Sequence, residues 1–255
     1  MDEEYARIVN DLVEVAPRLY ALRREDVIEI IVQSRALHVG GHFELLSGQH
    51  SDKFFQFLRI ASDVDLLARV TEEMVSWVRA RRLSVDVVLG PTSVGGLLAD
   101  EVARSLNDKI SGPRTVYARV DGDRGRIVEQ LEVGFEIEEG ENVLVVNDLS
   151  TTATGIDTLR KIVEAKRGRL VGVGLFSVRP PDTAEKVQGI CEELHVIARL
   201  KLAAWGRGQE HCELCRKGVR LIYSRRMTGV GPLPEEAVRA EPAHICRKKD
   251  IVRPL

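Results

Sequence analysis

This chain of 255 residues lacks a cysteine scaffold, a long apolar run, and an excess of charge of either sign. Its four cysteines (Cys191, Cys212, Cys215, Cys246) are too few to staple a chain of this length, and three cluster near the C-terminus, which points to a local site. No stretch approaches the roughly 20 apolar residues of a membrane span, so no membrane partner is expected. The acidic start Met1-Asp2-Glu3-Glu4 lacks the basic-then-apolar order of a signal peptide, and a cytoplasmic location is the expectation. With 37 basic and 39 acidic residues interspersed, the net charge of -2 leaves no footprint for a polyanion. A nucleic-acid partner is therefore not expected. The N-terminal segment balances Arg23 and Arg24 against Glu3, Glu4, Glu25 and Asp26, too acidic for a DNA-reading helix-turn-helix. Neither a GKS or GKT phosphate loop nor a GxGxxG fingerprint occurs, which excludes ordinary P-loop and dinucleotide readings.

What is present is an alternation of helix and strand patterns, 44% hydrophobic overall, enough for one sizeable core. Ile8, Leu12 and Val15 before Pro17, and Val27, Ile30, Ile31 and Leu37 after it, predict two helices with a break between them. Gly40, Gly41, Ser47 and Gly48 punctuate the next run, and Phe54 to Leu58 reads as a strand. From Asp63 the rhythm becomes regular: a helix to Arg82, strand Val85 to Leu89, helix Gly95 to Leu106 and strand Thr115 to Ala118. Strand Val143 to Val146, helix Gly155 to Lys166, and strands Leu170 to Phe176 and Leu194 to Leu200 follow. The pattern predicts an α/β fold: a doubly wound, mostly parallel five-stranded sheet, with ligands beyond the carboxyl ends of its strands. Residues 1–24 read as a helical extension, 25–202 as the main domain with a small hood from 25–60 and about 190–202, and 203–255 as an irregular C-terminal tail.

The segment VLVVNDLSTTATG carries the chemistry. Apolar strand residues lead to Asn147 and Asp148, then Ser150, Thr151, Thr152, Ala153 and Thr154, with Gly155 opening a helix. Hydroxyls and N–H groups at a helix N-terminus can cradle a phosphate, and a carboxylate at the strand end can hold ribose hydroxyls. Helix capping alone would use the same residue types.

This segment resembles the phosphoribosyl pyrophosphate motif of the type I phosphoribosyltransferases, and similarity to the orotate branch of that family extends from about Arg24 to Leu221. GGHFELLSGQHSDKFFQF (Gly40 to Phe57) looks like that branch's substrate segment, DVVLGPTSVGGLLADEVARSL (Asp86 to Leu106) like its pyrophosphate loop, and GFEIEEGENVLVV (Gly134 to Val146) like the approach to the main motif. HCELCRKGVRL (His211 to Leu221) resembles a terminal CPLC segment of one branch. The resemblance implies transfer of a 5-phosphoribosyl group from phosphoribosyl pyrophosphate to a nucleobase, most simply orotate, with Mg2+ on the pyrophosphate and a homodimeric assembly. It implies catalytic roles for Asp148, Asn147 and Arg119. Ser150 to Gly155, the turn Pro91, Thr92, Ser93, Gly95 and Gly96, and Arg124 would bind phosphoribosyl pyrophosphate, and Ser47, Gly48, Ser51 and Phe54 the base.

Four positions depart from the family pattern. Asn147 stands where a second carboxylate is usual, Ala153 where glycine is typical, and Val120 and Asp123 where the mobile loop YARVDGDRGRIVEQ would carry cations. Ala153 is expected to be strained if the loop needs a glycine-like angle. These departures keep a second reading open, a non-catalytic regulator that binds phosphoribosyl pyrophosphate or a nucleotide; an enzyme acting on another base is a third. The CxxC of Cys212 and Cys215, with His244 and Cys246 farther on, makes a candidate structural zinc set.

Overall fold

Asp63 has an extended backbone, and its carboxylate accepts hydrogen bonds from the N–H groups of Asp65 and Leu66. This cap launches helix α4 (Val64–Ala80), whose Leu66, Leu67, Val70, Met74, Trp77 and Val78 are buried on one side. The computed structural model that shows this describes residues 3–45, 47–107, 112–122 and 125–223. Before α4 come helix α1 (Glu3–Leu12), strand β1 (Val13–Val15), helix α2 (Arg24–Ser34), strands β2 (Leu37–Glu44) and β3 (His50–Phe55), and the turn of helix α3 (Leu58–Ala61). After it run β4 (Val87–Pro91), α5 (Val94–Leu106), β5 (Arg114–Asp121), β6 (Arg126–Leu131), β7 (Asn142–Ser150), α6 (Thr154–Ala165), β8 (Arg169–Val178), α7 (Thr183–Gln188) and β9 (Leu194–Leu200). The described part of the terminal segment adds α8 (Glu213–Arg216) and β10 (Ile222–Tyr223).

The five expected strands form a parallel core: β4 pairs with β5 and β7, β7 with β8, and β8 with β9. Two edge strands enlarge it to the order β1-β9-β8-β7-β4-β5-β6 among the described residues. The core strands are continuous Val/Leu runs, as burial on both faces requires; Val87, Val88, Leu89 and Val143 to Val146 have no exposed surface. Helix α6 covers one face with Ile156, Leu159, Ile162 and Val163.

Three local expectations need correction. The first helix ends at Leu12, and Val13 to Val15 pair antiparallel with Leu200 to Ala198, so Val15 is a strand residue. The second helix stops at Ser34, and Leu37 opens β2 instead of closing a helical stripe. Phe54 and Phe55 do lie on a strand, but it starts at His50, and Leu58 begins a helical turn. In each case a short apolar run fits both periods, and for Val15 and Leu37 a sheet partner decides.

The described residues divide into two compact units. One comprises 3–34, 57–107, 112–120 and 127–201; the other 35–45, 47–56, 121–122, 125–126 and 202–223. The second unit holds a three-stranded sheet, β10-β2-β3, and a small core of Phe43, Leu45 and Phe54 packed by Ala204 and Ile222.

Candidate active site

Strand β7 runs on through the motif, so that Asn147, Asp148 and Ser150 are themselves strand residues at its carboxyl end. Asn147 pairs in register with Leu175 of β8 and Ser150 with Val178, and the Ser177 hydroxyl donates to the Asp148 carbonyl at 3.2 Å. Thr183 Oγ1 donates to the Thr151 carbonyl at 2.9 Å. The loop is therefore pinned from β8 and α7. Beyond it, Thr151, Thr152 and Thr154 are exposed at the N-terminus of the 12-residue helix α6. First-turn N–H groups and the helix dipole there favour an anion.

Ala153, between those threonines, has φ 64° and ψ -12°. The expected conflict at this position is present: an alanine, nearly buried, holds the left-handed conformation that glycine adopts freely.

The second loop, between β4 and α5, meets the first at Gly95, while Gly96 packs against its own turn. A β-carbon on Gly95 would lie 2.0 Å from Asn147 Oδ1, and one on Gly96 would lie 2.5 Å from the Pro91 carbonyl oxygen. Neither glycine needs an unusual φ; both are required by space. Much of the turn's expected N–H supply is spent internally: Thr92 donates to Ala118 at 2.8 Å, Ser93 to Pro91 at 2.7 Å and Gly96 to Ser93 at 2.9 Å. Val94 and Gly95 remain as N–H groups without a backbone acceptor among the described residues. Thr92 also accepts from the Val120 N–H at 3.0 Å through Oγ1, which ties this turn to the end of β5, where Arg119 is exposed. Asp123 and Arg124 lie outside the described residues.

Asp148 is half-buried, and desolvation pushes its carboxyl up to about 6, against the opposing N–H groups of Leu149 and its own backbone. Asn147 donates through Nδ2 to the Leu149 carbonyl at 3.2 Å, while its Oδ1 is buried with no hydrogen-bond partner. A buried acceptor left unpaired costs on the order of 1–3 kcal/mol.

One polar residue at this edge escaped sequence reasoning. Arg179 follows β8 directly, its N–H donates to the Ser150 carbonyl at 2.9 Å, and the residue is 7% exposed. Burial pushes its guanidinium below the usual arginine range, and no carboxylate pairs with it among the described residues. The available signal was an arginine immediately after a core strand, which periodicity does not distinguish from a surface charge.

No family model matches the chain. Relatives do. It is 31% identical over 201 residues to the orotate phosphoribosyltransferase of a Thermoanaerobacter species, covering 79% of this chain and 96% of the relative. It is 30% identical over 209 residues to that of Desulforamulus reducens, covering 81% and 100%. The chain belongs to the orotate phosphoribosyltransferase family.

Solved structures agree on the fold. Orotate phosphoribosyltransferase from Aeropyrum pernix superposes with a TM-score of 0.53 at 20% identity, over 66% of this chain and 90% of that one. The Mycobacterium tuberculosis enzyme, in complex with inorganic phosphate, gives 0.50 at 24%, over 68% and 94%. The mixed sheet with its parallel centre is thus the type I phosphoribosyltransferase fold.

The residues that the family resemblance assigns to the base lie in the second unit. Ser51 is buried and spends its hydroxyl on the Ala203 carbonyl at 2.6 Å, and Phe54 packs in the small core. Ser47 is exposed, with its hydroxyl 3.2 Å from Gln49 Oε1. Gly48 has φ +80°, and its carbonyl accepts from Arg207 Nε at 2.9 Å. In the same unit the Cys212–Cys215 pair has two histidines beside it, His42 and His50, which the sequence pattern did not connect to it. His244 and Cys246 lie outside the described residues. Among the described residues no helix is long and apolar enough to cross a membrane.

Proposed function

We propose that the protein transfers the 5-phosphoribosyl group of phosphoribosyl pyrophosphate to a ring nitrogen of orotate, releasing pyrophosphate. Family membership supports the reaction class. The observation that carries the choice of base is Arg179, a buried cation without a carboxylate partner among the described residues, its backbone tied to the loop at Ser150. A buried unpaired charge is costly unless a ligand completes it, and orotate brings a carboxylate where a neutral purine brings none.

In this reading Thr151, Thr152, Thr154 and the first turn of α6 hold the 5-phosphate. Asp148 holds the ribose hydroxyls and faces the positive charge that grows at the anomeric carbon as the bond to pyrophosphate breaks. The Val94 and Gly95 N–H groups and Arg119 serve the leaving group. Asn147 hydrogen-bonds instead of contributing a second negative charge. Mg2+ fits the donors present, since Asp148 is an oxygen ligand with no cation of its own among the described residues. Asp148 would hold the ion directly or through water, and the ion would neutralise the pyrophosphate. A homodimer belongs to the same proposal and rests on the family resemblance; a cytoplasmic location belongs to it as well.

The test is pyrophosphate release from phosphoribosyl pyrophosphate and Mg2+ with orotate or adenine, beside Asp148→Ala and Arg179→Gln variants. Orotate-dependent release is expected, falling about 100-fold or more in Asp148→Ala. Arg179→Gln is expected to raise the KM for orotate by roughly 10-fold or more. A ligand-induced thermal shift without release for any base would replace this reading with a binding protein, the alternative that Asn147 favours.

A further inference from the structure

We propose that His42, His50, Cys212 and Cys215 form a closed, four-coordinate zinc site that fastens the terminal segment to the β2–β3 hairpin. The four side chains come from three places in the chain: His42 on β2, His50 at the start of β3, and the two cysteines at the cap and inside α8. Their ligand atoms all lie within 4.8 Å of one another.

The spacing is that of ligands around one ion. His42 Nε2 is 3.0 Å from His50 Nδ1, 3.5 Å from Cys212 Sγ and 3.7 Å from Cys215 Sγ, and Cys215 Sγ is 3.2 Å from His50 Nδ1. Zinc bonds of about 2.3 Å to sulfur and about 2.0 Å to nitrogen, at tetrahedral angles, place N and S neighbours roughly 3.6 Å apart and N and N neighbours roughly 3.3 Å apart.

The outer contact agrees. His42 Nδ1 is 2.8 Å from the Val219 carbonyl, which can only accept, so Nδ1 carries the proton and Nε2 offers its lone pair to the cluster. Two thiolates and two imidazoles select a borderline-soft ion, as distinct from the Mg2+ of the reaction. With His42, His50 and Cys212 buried and Cys215 half-buried, no open position remains for substrate, so the role is structural.

The site also answers a need of its unit. Strand β10 pairs with β2 over two residues, α8 is four residues long, and few apolar side chains are buried there. A bound ion would supply stability that so small a core does not. Because the β2–β3 hairpin carries Ser47, Gly48 and Ser51, zinc would also set the conformation of that segment.

The experiment is elemental analysis of the full-length reduced protein purified without chelator, together with replacement of its metal by Co2+. About one zinc per chain is expected, with a thiolate-to-cobalt charge-transfer band and tetrahedral d–d bands in the cobalt form. The metal is expected to be lost from Cys212→Ser/Cys215→Ser and from His42→Asn/His50→Asn, and retained in Cys191→Ser and His244→Ala/Cys246→Ala. Should the ligand variants not fold, refolding chelator-stripped wild-type chain with Co2+ gives the same spectroscopic reading. Wild-type protein from zinc-supplied cells that holds no zinc and shows no charge-transfer band overturns the proposal. So does metal that depends on His244 and Cys246 instead of on His42 and His50.

Discussion

The position a β-carbon of Gly95 would occupy, on the first turn of α5, lies 2.0 Å from Oδ1 of Asn147 at the end of β7. Two loops assigned to different parts of one substrate thus touch each other directly, and the contact leaves no room for a methyl group. Gly95→Ala is expected to destabilise the protein by about 1–3 kcal/mol and to lower turnover. Removing the obstructing oxygen in Gly95→Ala/Asn147→Ala should return part of the stability without returning turnover. Thermal denaturation of the single and double variants measures the coupling, and strict additivity would refute the contact.

Ala153 holds φ 64° at the entrance to α6. Ala153→Gly is expected to raise stability by roughly 0.5–1 kcal/mol, because relief of left-handed strain exceeds the entropy lost with a β-carbon. Denaturant unfolding checks the sign. A loss of stability would mean that the burial of the methyl group matters more than the backbone angle.

Asp148 gives a pH signature. Its carboxyl is raised by burial to about 6, so between the ordinary aspartate value and about 6 the folded chain binds more protons than the unfolded one. Stability from this group therefore falls as pH rises through that window and stays low above it. Asp148→Asn should remove the slope and raise the melting temperature of the ligand-free protein at neutral pH by roughly 2–4 °C, while abolishing turnover. Melting curves from pH 4 to pH 7 decide; an unchanged slope in the variant would assign it to another group.

Glu73 is fully buried on α4, and burial by itself would raise its carboxyl. The bond from His195 Nε2 at 2.8 Å and the N–H groups of Leu22, Ala21 and Tyr20 outweigh that and hold it below the usual glutamate range. The stability it contributes is present above the unfolded glutamate value and is lost as pH falls through the folded one. Glu73→Ala leaves three N–H groups and His195 without an acceptor and should cost roughly 3 kcal/mol or more, with a shallower acid-unfolding limb. Urea titrations at pH 7 and pH 4 measure both.

The sequence by itself determined the parallel core and the hydroxyl-rich segment proposed to hold the 5-phosphate. Most of the five core runs alternate with amphipathic helices, which points to a parallel sheet, and the Asn147 to Gly155 segment is local, so its residue pattern was readable from neighbours in the chain. Even the strain at Ala153 was legible, since only one residue type fits a left-handed turn comfortably. Tertiary structure decided the rest. Val13 to Val15 became an edge strand because Leu200 to Ala198 offered backbone partners. Gly95 proved to serve the packing of loop on loop and Gly96 the packing within its own turn, and Arg179 turned out to be buried, which an arginine's identity never announces. The cysteine pair found its histidines on the hairpin, Cys212 meeting His42 across 170 residues of chain. Contacts of that range depend on how chain segments converge in space, and no local spacing encodes them.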